Sequence, residues 1–215
     1  MGRVFPRHRH RGRPLNSIVR RHSTVTKRKL PQSKGEVDAL KDTFLEGLRG
    51  ESDRGCVLVA VAFLDESLEV LLRAKMLTKP EDSKRVDSLF AVLAPLHPFW
   101  AKVQLTRALG FLEEWEYKDL ERIRVLRNKV AHTYEDASFA DPKVIELANQ
   151  LEAAQRYLKK AESRRTALKT ATGSPSEPGQ LERVRKSRYL FTLAASNLAG
   201  RIHGAAETFR NEEKE

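Results

Sequence analysis

The chain has a single cysteine, Cys56, and no uninterrupted apolar run longer than the nine residues Cys56–Leu64. One thiol forms no intrachain disulfide and no cysteine-based metal cluster. Its place in an apolar run marks it as a core thiol in a reducing, cytoplasmic setting. A nine-residue run falls far short of the roughly 20 apolar residues that cross a bilayer, so no membrane association by a spanning helix is expected. There is no glycine-rich phosphate loop, no zinc-ligand pair and no G-x-S-x-G elbow. His8, His10, His22 and His203 lie in segments without assembled partners, and His97 sits alone in a loop beside aromatics. No metal and no cofactor are expected. No segment shows the two-residue alternation of a convincing strand.

Acidic residues are missing from the first 34 positions, which carry eleven of the 40 Lys and Arg. The rest of the chain holds 40 − 11 = 29 basic against all 29 acidic residues, so the net charge of +11 belongs to this segment alone. With three prolines and few apolar side chains, residues 1–35 read as a disordered basic arm. Arg7, Arg9, Arg11, Arg13, Arg20, Arg21, Lys27, Arg28 and Lys29 are its candidate nucleic-acid-binding residues. A targeting peptide, or a segment upstream of the true start, accounts for the same composition.

What remains is helical throughout. Apolar residues recur at three- and four-residue steps from Glu36 to Gly50, and again from about Ser52 to Leu77. The second of these helices is apolar nearly all round, as if neighbours covered most of it. A third helix runs from Pro80 to about Leu93, where Pro95 and Pro98 break the pattern. A fourth extends from Phe99 to Gly110, which suits the left-handed position after a helix end. Asp141 and Pro142 form an N-cap and first-position pair opening a helix to about Arg165. The composition of residues 170–180 marks a linker, and residues 181–215 read as a C-terminal helix with Val184, Leu190, Phe191 and Leu193 as apolar candidates. The expected architecture is all-α: one helical bundle domain over residues 36–169, with the arm and the last helix attached.

Between Glu113 and Tyr134 lies EEWEYKDLERIRVLRNKVAHTY, in which Leu120, Ile123, Arg127 and Val130 share a helical face. An arginine on that face requires a partner. Asp65 and Glu66 interrupt the apolar helix, so a structural ion pair between Arg127 and one of them is expected. The turn around Gly110, from Thr106 to Asp119, has the general form of a helix-turn-helix, as helical bundles commonly do.

From Gly55 to about Leu151 the chain resembles the bacterial mannitol operon repressor family. The segments that carry the resemblance are VAFLDESLEVLL, APLHPFWAKVQLTRALGFLEEWEYKDLERIRVLRNKVAH and SFADPKVIELANQL, in that order. It implies a helical transcriptional regulator that acts through a protein partner, a homodimer or a larger complex, without catalysis. The hexapeptide RNKVAH also resembles the Arg-x4-His motif of HEPN domains, some of which are metal-independent ribonucleases found in toxin–antitoxin pairs. That second resemblance implies RNA cleavage by Arg127, Asn128 and His132. Residues five apart are about 140° apart around a helix, so Arg127 and His132 converge only at a distorted helix end or between two subunits.

Overall fold

The computed structural model describes residues 34–77, 79–132, 138–166 and 180–212. Among these residues are eight α-helices, one 3-10 turn and no strand, so the fold is all-α. The helices are α1 (Lys34–Arg49), α2 (Asp53–Met76), α3 (Ser83–Phe90), α4 (Phe99–Ala108), α5 (Glu114–His132), α6 (Pro142–Asn149), α7 (Glu152–Thr166) and α8 (Gln180–Glu212). The arm up to position 33 and the linker up to position 179 lie outside the described residues.

Local signals set four of the helix ends. Ser52 opens α2 by accepting the Gly55 amide at 3.0 Å. Asp141 opens α6 by accepting the amide of Lys143 at 2.8 Å, with Pro142 in the first turn as expected. Gly110 follows α4 at φ +78°, and the Gly110 and Phe111 amides bond Arg107 and Thr106 carbonyls, which closes a Schellman motif. Glu116 reaches back from the first turn of α5 to the Glu113 amide at 2.8 Å, the glutamate half of a capping box.

One end has a different cause. The sequence pattern runs as one helix from Asp141 to Arg165, yet the chain breaks at Gln150–Leu151 into α6 and α7. Asp119, fully buried on α5, accepts the free amides of Glu152 (3.0 Å) and Ala153 (2.7 Å), and Arg122 bonds the same carboxylate at 2.9 Å. The first-turn amides of α7 are thus satisfied by a residue more than thirty positions away. Burial raises the Asp119 pKa, while the two amides and Arg122 pull it back down.

The last helix is no appendage. Leu190, Phe191, Ala194, Ala195, Leu198, Ala199 and Ile202 of α8 are buried in the same core as Leu64, Leu68 and Leu71 of α2. The small alanines let the two helices approach closely. They run in the same direction, since Asp53 meets Arg188, Ser67 meets His203 and Lys75 lies over Phe209. Helices α1, α6 and α7 also pack on α8. A domain ending at residue 169 therefore leaves out the helix that most of the others share. His203, read as partnerless from the sequence, is buried at 3.1 Å from the Ser67 hydroxyl.

A polar junction fixes this arrangement at one end. Asp53 accepts hydrogen bonds from Arg188 (2.7 Å), the Ser138 hydroxyl (2.9 Å) and the Phe139 amide (2.9 Å). The same guanidinium donates to the carbonyls of Leu48 (3.0 Å), in the last turn of α1, and Glu51 (2.5 Å), just after it.

Cys56 is buried one turn from this junction, as its apolar setting suggested. Burial pushes the Cys56 thiol up to about 11. The upward shift means the folded state favours the neutral thiol, and that preference weakens as pH rises through the unfolded value toward the folded one. At pH 8 an alkylating reagent should label Cys56 rapidly in denaturant and at least tenfold more slowly in the native protein; equal rates would show an accessible thiolate.

Candidate functional site

The structure separates Arg127 from the carboxylates assigned to it. The buried positions on α5 are Glu116, Asp119, Leu120, Ile123, Leu126 and Val130, and Arg127 lies about 50° round from their centre. Its side chain is exposed and donates to its own neighbour, the Asn128 side-chain oxygen, at 3.2 Å. The periodicity identified the correct helix and face, since Leu120, Ile123 and Val130 are buried, but the long Arg127 side chain leaves that face for solvent. Glu66 is also exposed.

The partner of Asp65 is Lys102 on α4, only 2% exposed, whose ammonium lies 2.8 Å from Asp65 and 3.2 Å from Glu69. Glu69 accepts from Arg73 at 2.8 Å, and Arg73 reaches Asp87 of α3 at 2.6 Å while stacking over Phe90 at 4.4 Å. Alternating charges thus join α4, α2 and α3. The sequence argument that a carboxylate within α2 needs a cation was sound; the cation came from another helix. A lysine within a short amphipathic helix carries no signal of its own burial.

Of the residues assigned to RNA cleavage, only the side chains of Arg127 and Asn128 are described. Arg127 spends a guanidinium N–H on Asn128, and His132 ends α5 with its side chain outside the described set. Arg54 of α2 bonds the carbonyl of Ala131, in the last turn of α5, at 3.2 Å. The candidate arm residues Arg7, Arg9, Arg11, Arg13, Arg20, Arg21, Lys27, Arg28 and Lys29 all lie outside the described residues.

The turn from α4 to α5 also lacks the character of a DNA reader. A recognition helix presents its first turn to base edges beside phosphates, whereas α5 has Glu114 and Glu116 in its first turn and Glu113 just before it. Glu116 is buried and bonded to Arg201 of α8, and Asp119 caps α7. This helix faces inward. The guanidinium groups of Arg156 (4.6 Å) and Arg201 (5.1 Å) both lie over the Trp115 ring, which ties α5 to α7 and α8.

A feature missed in the sequence is the loop between α3 and α4. The pattern carries a helix to Leu93, but α3 ends at Phe90 and Leu93 takes a left-handed φ of +69°. A leucine in that conformation stores about 1–2 kcal/mol of strain. Its side chain is 94% exposed and that of Val92 76% exposed, so packing does not repay the cost. The loop is nevertheless well braced. Ala94 bonds Ala91 (2.9 Å), Leu96 bonds Leu89 (3.0 Å) and His97 bonds Ala94 (3.0 Å), each through backbone groups. Leu89 and Leu96 pack on the small cluster of Leu72, Val86 and Phe90. From Leu89 to Ala101 there is no Asp, Glu, Lys or Arg, in a chain that is 32% charged; that gap was the available sequence signal.

Arg127→Ala should therefore shift stability by no more than about 0.5 kcal/mol, as exposed substitutions generally do. Lys102→Ala, which strands Asp65 and Glu69, should cost about 3 kcal/mol. Thermal melts of the two purified variants check the assignment; a severe loss in Arg127→Ala with none in Lys102→Ala would reverse it.

Among the described residues, no group of three or more His, Cys, Asp or Glu side chains is placed to hold a metal ion. No described helix is long and apolar enough to cross a membrane. A family model described as "Mannitol repressor" matches residues 40–195, a span that runs from α1 into α8. A chain of the X-ray structure of the MtlR–HPr complex from Escherichia coli superposes with a TM-score of 0.60 at 21% identity, covering 77% of this chain and 99% of that one. The crystal structure of a possible transcriptional regulator, YggD, from Shigella flexneri gives a TM-score of 0.61 at 19% identity, covering 75% and 98%. At these identities the two structures speak for the fold alone. No curated protein matches the chain in sequence.

Proposed function

The chain belongs to the mannitol repressor family, and from that premise we propose that it is a cytoplasmic transcriptional regulator that acts by binding other proteins rather than by catalysis. The observation that carries the proposal is the family match across residues 40–195, which takes in seven whole helices or most of their length and half of α8. The E. coli relative was solved as an MtlR–HPr complex, which makes HPr the first partner to try. Two features of the chain support protein contacts over direct base reading. The charge of residues 35–215 sums to zero, since 29 Lys and Arg face 29 Asp and Glu. Helix α5, the one element with a helix-turn-helix outline, spends its acidic first turn on capping and on Arg201.

Purified full-length protein should bind HPr in isothermal titration with a Kd in the micromolar range or tighter, and RNA incubated with it in chelator should stay intact. Absence of HPr binding would remove the partner from the proposal. Cleavage that persists in chelator and is lost in both Arg127→Ala and His132→Ala would replace regulation with ribonuclease chemistry.

The basic arm enters the same proposal as the source of any non-specific DNA affinity. Deleting residues 1–33 should abolish most binding to random duplex DNA and flatten its dependence on salt concentration. An unchanged salt slope in the truncated protein would locate the phosphate contacts on the folded helices.

A further inference from the structure

We propose that the Ala91–Pro98 loop is the element that anchors the protein partner, with Leu93 and Val92 inserted into an uncharged apolar cleft on that partner's surface. The inference rests on the reading that this chain works through protein contacts, and it names the surface used. Three independent properties of the loop converge. Its two most exposed side chains are large and apolar, at 94% for Leu93 and 76% for Val92. The Leu93 backbone holds a conformation its side chain disfavours, at φ +69°. Neither burial nor backbone preference within this chain favours leucine there, and a contact outside the chain would account for it.

The third property is rigidity combined with absence of charge. Backbone bonds at Ala94, Leu96 and His97 and the packing of Leu89 and Leu96 on the Leu72–Val86–Phe90 cluster hold the tip in place before any partner arrives. A prepared side chain loses little freedom on docking, which is what distinguishes an anchor from a flexible apolar loop. Interface centres are depleted in charge, and the stretch Leu89–Ala101 has no Asp, Glu, Lys or Arg. Two adjacent apolar side chains this exposed are best covered by a recess on the partner. A membrane surface is the poorer receiver, because the loop supplies no Lys or Arg for anionic headgroups.

The discriminating variant is Leu93→Asn. Asparagine tolerates the left-handed backbone and removes the apolar tip, so stability and binding should move in different directions. The melting temperature should stay level or rise, while the Kd for HPr, measured by titration against full-length protein, should weaken at least tenfold. Val92→Ser should also weaken binding without loss of fold. Wild-type binding that Leu93→Asn leaves within twofold would overturn the loop as anchor and leave the proposed function standing. A wild type that does not bind HPr would overturn the loop as an HPr anchor and remove HPr from the proposed function, which would then stand on the family match alone. Sedimentation of the same samples covers the remaining occupant: a wild-type dimer that becomes monomeric in Leu93→Asn would assign the loop to a second copy and overturn a separate partner.

Discussion

The fold depends on the pairing of Arg188 with Asp53. A guanidinium from α8 meets the carboxylate in the first turn of α2 and also takes up one carbonyl in the last turn of α1 and one just beyond it, while the same carboxylate receives the Ser138 hydroxyl and the Phe139 amide. One ion pair thus sets the relative height of α1, α2, α8 and the segment entering α6. Each group satisfies backbone donors or acceptors that helix ends leave open, so its loss would strand several polar groups at once. The apolar contacts between α2 and α8 supply the bulk of the driving force, but they are compatible with sliding by a turn. The junction is what makes one register preferable.

Long-range polar pairing recurs as the organising device. Asp119 divides what local sequence would make a single helix, Lys102 joins three helices through Asp65 and Glu69, and Glu116 takes Arg201. This pattern decides what was readable in advance. Helix existence, the Asp141–Pro142 start and the Gly110 end were legible because periodicity, capping and left-handed turns are local. The α6–α7 break was not legible, because its cause lies in a carboxylate on α5. The need for a cation at Asp65 was legible, but its identity was not: Arg127 and Lys102 both lie on amphipathic helices, and only packing chose between them.

The same contrast applies to surfaces. From the sequence, α2 looked covered on most sides, yet Leu58 and Val59 are 37% and 42% exposed. The α3–α4 loop looked like the end of a helix, yet it carries a strained, exposed leucine on a braced backbone. Helical periodicity reports which residues are apolar and not which apolar residues a domain fails to bury. Under the proposal that the protein works by contact with other proteins, those unburied residues are where its function lies. The arginine, asparagine and histidine of RNKVAH drew attention by their motif; the loop is distinguished by the absence of charge.

Hydrogen–deuterium exchange of the full-length chain, with and without HPr, tests the central claim of regulation by contact through this loop most directly. The expected result is slowed exchange on binding, concentrated in residues 91–98 and the adjoining ends of α3 and α4. Protection confined to the C-terminal end of α5, or no protection anywhere in the chain at saturating HPr, would contradict it.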